Sequence, residues 1–450
     1  MTVNDAKNIS FEELVAGGDF ECECGRVHSG GVSRVIIEDN AIARLPELIA
    51  ECGAVKPFIL SGHDTFAAAG EKVISALKGA DIEYSSYVFP RSPVKPDEEA
   101  VGSAVMHYDL SCDLIIAVGS GVMNDTGKIL ASMTGLRYII VATAPSMDGF
   151  SSATSSMERD GLKETIDSTF AWAIVADLDI VAAAPMHMLR AGVGDMLAKY
   201  VSIAEWKMGA MLVDEYYCPV VAELVNRSLD KVVNAVPGIV KRDKGAIKSL
   251  MEGMVIAGMA MTYAGLSRPA SGVEHYFSHI LDMRSLAFSD AKADLHGIQV
   301  GIGTVYALKT CEYLQTVTPD REKAEAFVSG FSLDDYNNAL REFVGPGAEA
   351  MIEKENRDGK YNKATHPARL ERIITHWDEL TDIFRALPPH EQVLDILKEL
   401  GAPVSYDYLG YDAGQLKKVF IVTKDIRDKY VVTRLLWDLG LLDEAKDAVI

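Results

Sequence analysis

Three groups of residues have types and spacings that could carry chemistry. The first is Cys112-Asp-Leu-Ile-Ile-Ala-Val-Gly119-Ser120-Gly121-Val-Met-Asn124-Asp125-Thr-Gly-Lys128, an apolar strand running into a glycine turn, with a helix starting near Asn124. Glycines at such a turn let backbone N–H groups approach a pyrophosphate, which then rests on the positive end of the helix dipole. The spacing departs from GxGxxG because Asn124 stands where the third glycine would be. A plain tight turn is the competing reading. The second group, Thr143-Ala-Pro145-Ser146-Met-Asp148-Gly149, follows the next strand and so emerges at the same sheet edge, where open α/β sheets bind ligands. Alone it reads as a Ser/Asp loop with an Asx turn. The third group is spread out: Gly192-Val-Gly194-Asp195-Met-Leu-Ala-Lys199, then Arg268-Pro-Ala-Ser271-Gly-Val-Glu274-His275-Tyr-Phe-Ser-His279, then Asp294-Leu-His296-Gly297. Five of the ten histidines (His28, His63, His107, His187, His376) stand in isolation, so His275, His279 and His296 form the distinctive cluster. His275 and His279, at i and i+4, share one helical face, and one Asp with two His leaves coordination positions open, as a catalytic metal needs. A pair of satisfied histidines inside a helical bundle competes with that reading.

These residues need elements to hold them. Strands are expected at Arg34–Glu38, Pro57–Ser61, Tyr84–Phe89, Asp113–Val118, Tyr138–Ala142 and Ala171–Val175, with amphipathic helices at Thr65–Lys78, Asp97–Tyr108 and Asn124–Thr134. Such alternation, with nearly continuous apolar strands, implies a parallel sheet covered on both faces. After Ala182 long helical patterns take over. The chain therefore divides into an α/β nucleotide-binding domain over 1–185 and an all-helical metal- and substrate-binding domain over 186–450. The polar run Glu353–Lys363 is expected to be an exposed loop.

Composition excludes several classes. Lys plus Arg is 44 and Asp plus Glu 65, a net charge of −21, which repels phosphate backbones and anionic lipid, so no nucleic-acid partner is expected. The most apolar stretch, Gly253–Leu266, is about 14 residues, too short to span a bilayer, and reads as a buried helix; no membrane insertion is expected. The N-terminus lacks a signal-peptide pattern, and six cysteines, mostly inside apolar runs, suit reduced thiols in a cytoplasmic enzyme. Cys22-Glu-Cys24-Gly-Arg-Val-His28 invites a zinc reading, yet it supplies three ligands with no evident fourth; an N-terminal strand with buried thiols is the simpler expectation.

Taken together, the pieces resemble the bacterial branch of the sn-glycerol-1-phosphate dehydrogenases, in the superfamily of iron-containing alcohol dehydrogenases, glycerol dehydrogenase and 3-dehydroquinate synthase. The resemblance runs over roughly residues 20 to 310, and Pro145-Ser-Met-Asp-Gly149 and Ser271-Gly-Val-Glu-His275 are its most specific parts. It implies a dehydroquinate synthase-like fold: a Rossmann-like parallel-sheet domain followed by an all-α domain. It implies NAD or NADP as cofactor and one divalent metal, Zn²⁺, Ni²⁺ or Fe²⁺, on Asp195, His275 and His296. That ligand set replaces the simpler one in which His275 and His279 both bind. His279 would then assist substrate contact or proton relay. Gly119, Ser120 and Gly121, with Asn124, would cradle the pyrophosphate, flanked by Asp125 and Lys128. Thr143 and Ser146 would line the nicotinamide side, and Asp148 would hydrogen-bond a small phosphorylated three-carbon substrate. From the need for positive charge, and not from the resemblance, Lys199 or Arg268 is expected to neutralise its phosphate. The reaction implied is interconversion of dihydroxyacetone phosphate and sn-glycerol 1-phosphate in a homo-oligomeric enzyme. Another polyol or glycerol dehydrogenase, a dehydroquinate-synthase-type lyase and a nucleotide sensor remain as alternatives.

Two departures stand out. The strand Pro57–Ser61 ends in Gly62, where relatives favouring NAD often carry an Asp, so NADP could also be accepted. A length of 450 residues also exceeds what the branch suggests, with the excess placed around 345–425.

Overall fold

The computed structural model describes residues 1–159 and 162–450. Its strands are β1 (Phe20–Glu21), β2 (Val27–His28), β3 (Arg34–Glu38), β4 (Pro57–Gly62), β5 (Ser85–Phe89), β6 (Leu114–Gly119), β7 (Arg137–Ala142), β8 (Thr154–Arg159), β9 (Leu162–Asp167) and β10 (Ala173–Asp177). β3, β10, β7, β6, β4 and β5 form, in that order, one parallel sheet. Every residue of β4, β6 and β10 is buried, which explains their unbroken apolar character: both faces are covered. All six expected sheet strands are present. The chain leaves β4 toward β5 and returns to β6 on β4's other side, so the strand order reverses between β4 and β6. The carboxyl ends of those strands are Gly62 and Gly119, the place where open α/β sheets bind ligands. Two antiparallel hairpins, β1–β2 and β8–β9, complete the strands.

After Asp177 every element of the described residues is helical. The chain forms two compact units, one of Met1–Met196 with Pro219–Ser267, the other of Leu197–Cys218 with Arg268–Ile450. The sheet-bearing unit thus extends past residue 185, taking in the helices Met186–Leu197, Pro219–Val240 and Lys244–Ala264. Gly253–Leu266 lies mostly in the last of these, which is largely buried, as its composition implies. No helix among the described residues is long and apolar enough to cross a membrane.

The stretch Glu353–Lys363 departs from the expected loop. Residues Gly347–Asp358 are helical, and Glu355 is buried. Its polar side chains have buried partners: Lys360 Nζ donates to Glu355 Oε1 at 2.7 Å, and the Tyr361 hydroxyl donates to Asp425 Oδ1 at 2.8 Å. Burial, aided by the nearby Asp425 charge, pushes the Glu355 carboxyl up to about 7 against the opposing pull of Lys360. The folded chain therefore holds a proton that the unfolded chain releases near pH 4.5, and stability falls as pH rises through 7. Glu355→Gln should remove this slope. Between about pH 5 and about pH 8 the parent should lose on the order of 2 kcal/mol relative to the variant, read as diverging thermal midpoints. Parallel midpoints across that range would show that Glu355 does not titrate there.

Candidate active site

In the sheet-bearing unit the glycine turn and the following loop are stitched together. Thr143 N donates to Gly119 O at 3.0 Å. The Ser120 hydroxyl donates to Ala144 O at 3.0 Å and lies 2.6 Å from Ser146 Oγ. Gly119 must lack a side chain, since a Cβ there would fall 2.5 Å from Met123 Cβ. The helix that follows runs Gly121–Thr134, starting three residues before the expected Asn124 and placing its N-terminal amides directly after the turn. Gly119, Ser120, Gly121, Thr143 and Ser146 therefore share one edge of the sheet, around a helix terminus suited to an anion.

Asn124, Asp125 and Lys128 have protein partners next to that edge. Asn124 is fully buried; its Nδ2 donates to Gly149 O at 3.1 Å, and its Oδ1 accepts from Tyr138 at 3.2 Å. Lys128, also fully buried, donates to Gly149 O (2.6 Å), Ser152 Oγ (3.1 Å) and Thr154 O (3.0 Å). An ammonium has three hydrogens, so this lysine is engaged with the 149–154 loop. Burial lowers its pKa and raises that of Asp125, whose Oδ1 is 3.8 Å away. Asp125 Oδ2 accepts from Ser156 N.

Asp148 and Asp195 meet in the same unit: the Asp148 amide donates to Asp195 Oδ2 at 2.9 Å. Both are buried. The helix carrying Asp195 approaches this loop closely at Gly192, where a Cβ would lie 2.0 Å from Pro145 O. Gly192 thus has a packing role that the Gly-x-Gly-Asp spacing could have signalled.

The other unit carries the histidines. His275 and His279 lie on the helix Val273–Ala287, and His296 opens the helix His296–Gln315. The His275 and His296 ring centroids are 5.0 Å apart, against 6.5 Å for His275–His279 and 5.7 Å for His279–His296. His275 Nδ1 is 2.9 Å from Glu274 Oε1, and His296 Nδ1 is 3.0 Å from Ser278 Oγ. Each contact fixes one ring nitrogen and turns Nε2 to the opposite side, the way outer groups orient metal-binding imidazoles. Glu274 also accepts from Gly272 N at 2.5 Å, and Gln299 donates to both Ser278 Oγ (3.0 Å) and Asp282 Oδ1 (2.8 Å). Ser278, Asp282 and Gln299 were not singled out in the sequence. Asp282, three residues after His279, is the one that spacing could have revealed. Ligand atoms of His279, Asp282 and His296 lie within 4.8 Å of one another.

Lys199 and Arg268, the expected phosphate partners, have protein partners. Lys199, fully buried, donates to Ala270 O at 3.1 Å. Arg268 forms a two-pronged pair with Glu215 (2.6 and 2.7 Å) and donates to Tyr430 O at 2.7 Å. These contacts hold the loop before His275.

The profile of the iron-containing alcohol dehydrogenase family matches residues 36–185. The glycerol-1-phosphate dehydrogenase [NAD(P)+] of Halalkalibacterium halodurans is 35% identical over 289 residues, covering 63% of this chain and 72% of its own. The chain belongs to the glycerol-1-phosphate dehydrogenase family. The enzyme of that name from Bacillus licheniformis is 28% identical over 438 residues, covering 96% of this chain and 95% of its own. The helical tail is therefore shared with that relative, and the length around 345–425 is not peculiar to this chain. A probable glycerol dehydrogenase from Sinorhizobium meliloti superposes with a TM-score of 0.60 at 17% identity, covering 93% of this chain and 96% of its own, which supports the fold.

Proposed function

We propose that this member of the family interconverts dihydroxyacetone phosphate and sn-glycerol 1-phosphate with NAD or NADP, and that Asp195, His275 and His296 hold one divalent metal. The observation that carries the metal reading is the pair of imidazoles 5.0 Å apart, each with Nδ1 fixed by a neighbour. A buried carboxylate and two such rings are a suitable donor set for Zn²⁺, Ni²⁺ or Fe²⁺, and three protein ligands leave a position for substrate. When bound, the nicotinamide exchanges the hydride and the cation stabilises charge on the substrate oxygen. The chain's own residues position and exclude. The turn Gly119–Gly121 presents helix-terminal amides to the dinucleotide phosphates, with Ser120 and Ser146 holding its two loops together. Asp148, tied by its amide to Asp195, orients the glycerol backbone. His279 holds and passes the proton at the substrate oxygen.

Gly62 at the end of β4 presents no carboxylate to an adenosine ribose, and the exposed carboxylate that follows, Asp64, accepts from the Ser92 hydroxyl at 2.8 Å and lies 3.3 Å from His63 Nδ1, which favours acceptance of NADP beside NAD. The test follows absorbance of the reduced nicotinamide with dihydroxyacetone phosphate and with dihydroxyacetone. Oxidation of the cofactor with the phosphorylated ketone should far exceed that with the free ketone. Equal rates would make this a general polyol dehydrogenase. No hydride transfer with either would remove the dehydrogenase reading.

A further inference from the structure

The N-terminal segment holds a group that this reaction does not use. β1 and β2 form a short hairpin: Cys22 N donates to Arg26 O at 3.0 Å and Gly25 N to Cys22 O at 2.9 Å, with Gly25 at φ +85°. The hairpin turns the side chains of Cys22, Cys24 and His28 toward one point, their ligand atoms lying within 4.8 Å of one another. Cys24 Sγ is 3.4 Å from His28 Nε2. With a Zn–S bond of about 2.3 Å and Zn–N of about 2.0 Å, the S···N edge of a tetrahedral site is roughly 3.5 Å. His28 is 1% exposed, and its Nδ1 is 2.7 Å from the Tyr263 carbonyl. The carbonyl only accepts, so Nδ1 carries the hydrogen and Nε2 is the nitrogen that faces the sulfur. No disulfide joins any of the six cysteines.

We propose that Cys22, Cys24, His28 and Cys218 hold one structural Zn²⁺, distinct from the metal of the reaction. Cys218 is buried and is joined by its peptide bond to Pro219, the first residue of the helix Pro219–Val240, along which the N-terminal helix Val3–Asn8 packs. This thiol is the fourth ligand that the Cys22–His28 spacing lacked; its distance along the chain hides it from any local motif. Three thiolates and an imidazole form a soft set that selects zinc over magnesium or calcium. Four protein ligands close the coordination shell, so the site has a structural role rather than a catalytic one. Binding releases the thiol protons to solvent and adds to folding free energy. It anchors the N-terminal hairpin to the helix Lys244–Ala264, through Tyr263, and to the head of Pro219–Val240.

Elemental analysis of the full-length protein, expressed with zinc present, tests this. The parent should carry one equivalent of zinc more than Cys24→Ser, Cys218→Ser or His28→Asn, and each of these should keep the metal that His275→Ala loses. Cobalt loading gives a second readout. The parent should show a sulfur-to-cobalt charge-transfer band that the serine variants weaken and His275→Ala leaves unchanged. If a serine variant does not accumulate, the parent alone decides: thiol modification of the native protein should release one equivalent of zinc. No zinc beyond that lost in His275→Ala, no sulfur-to-cobalt band, or a Cys22–Cys24 disulfide in the purified protein would overturn the proposal. None of these outcomes bears on the dehydrogenase assay.

Discussion

His275→Ala should lower turnover about a thousandfold or more and, in the same protein, remove one equivalent of bound metal. At 1.36 kcal/mol per tenfold, that is a loss of about 4 kcal/mol of transition-state stabilisation. The expectation rests on the ring's surroundings. His275 is nearly buried, its Nδ1 is fixed by Glu274, and its centroid lies nearer His296 than His279. Glu274→Gln, which keeps the shape and removes the charge that polarises the ring, should cost only ten- to a hundredfold, about what outer-group changes cost at other metal sites. His279→Ala separates two ligand sets. If Asp195, His275 and His296 bind the metal, this variant should retain it and lose turnover through the proton step, visible as an altered pH–rate profile. If His279, Asp282 and His296 bind instead, metal should be lost with His279→Ala and kept with His275→Ala. Steady-state kinetics and elemental analysis on the three variants decide the matter. A His275→Ala protein that keeps full turnover in metal-free buffer would sink the Asp195, His275 and His296 ligand set, and one that also carries no metal would sink the metal reading altogether.

What the sequence revealed, and what it hid, follows from how each element earns its burial. The sheet was legible because β4, β6 and β10 are covered on both faces and so spell unbroken apolar runs. The hairpin β8–β9 was not. In Thr154–Arg159 the inward positions include Ser155 and Met157 among polar neighbours, so the alternation carries little hydrophobic contrast. The helix Gly347–Asp358 was hidden for a related reason: Glu355 is buried by pairing with Lys360, and charge pairing leaves no apolar period to read. At the site, the residue types of the glycine turn and the histidine cluster were evident, but their roles were not. Lys128 and Arg268 look like anion binders by charge. Only three-dimensional contacts show the first engaged with Gly149, Ser152 and Thr154, and the second with Glu215. Buried cations are satisfied by carbonyls and carboxylates that lie far apart in sequence, so these partners cannot be read from composition.

Gly192→Ala should destabilise the protein by about 2–4 kcal/mol and weaken dinucleotide binding tenfold or more, although residue 192 is a site for neither metal nor cofactor. A methyl group there would lie 2.0 Å from Pro145 O and 2.3 Å from Met254 Cε. The methionine end can swing aside. The Pro145 carbonyl is backbone and can yield only if the 143–149 loop moves. That loop is bound on both sides of Pro145: Thr143 N to Gly119 O, Ser146 Oγ to Ser120 Oγ, and Asp148 N to Asp195 Oδ2. A shift at Pro145 therefore propagates to the glycine turn Gly119–Gly121 and to the carboxylate of Asp195 together, and misplacement of about 1 Å at such a site can cost a hundredfold in rate. Gly102→Ala is the matched control. It lies on the exposed face of the helix Glu98–His107, where a Cβ meets nothing within 4 Å, and should be neutral or stabilising by up to about 1 kcal/mol. Thermal midpoints and reduced-nicotinamide fluorescence titrations on the two variants give the comparison. If Gly192→Ala matches Gly102→Ala in both, the close approach of the Asp195 helix to the 143–149 loop is not what sets this edge of the site.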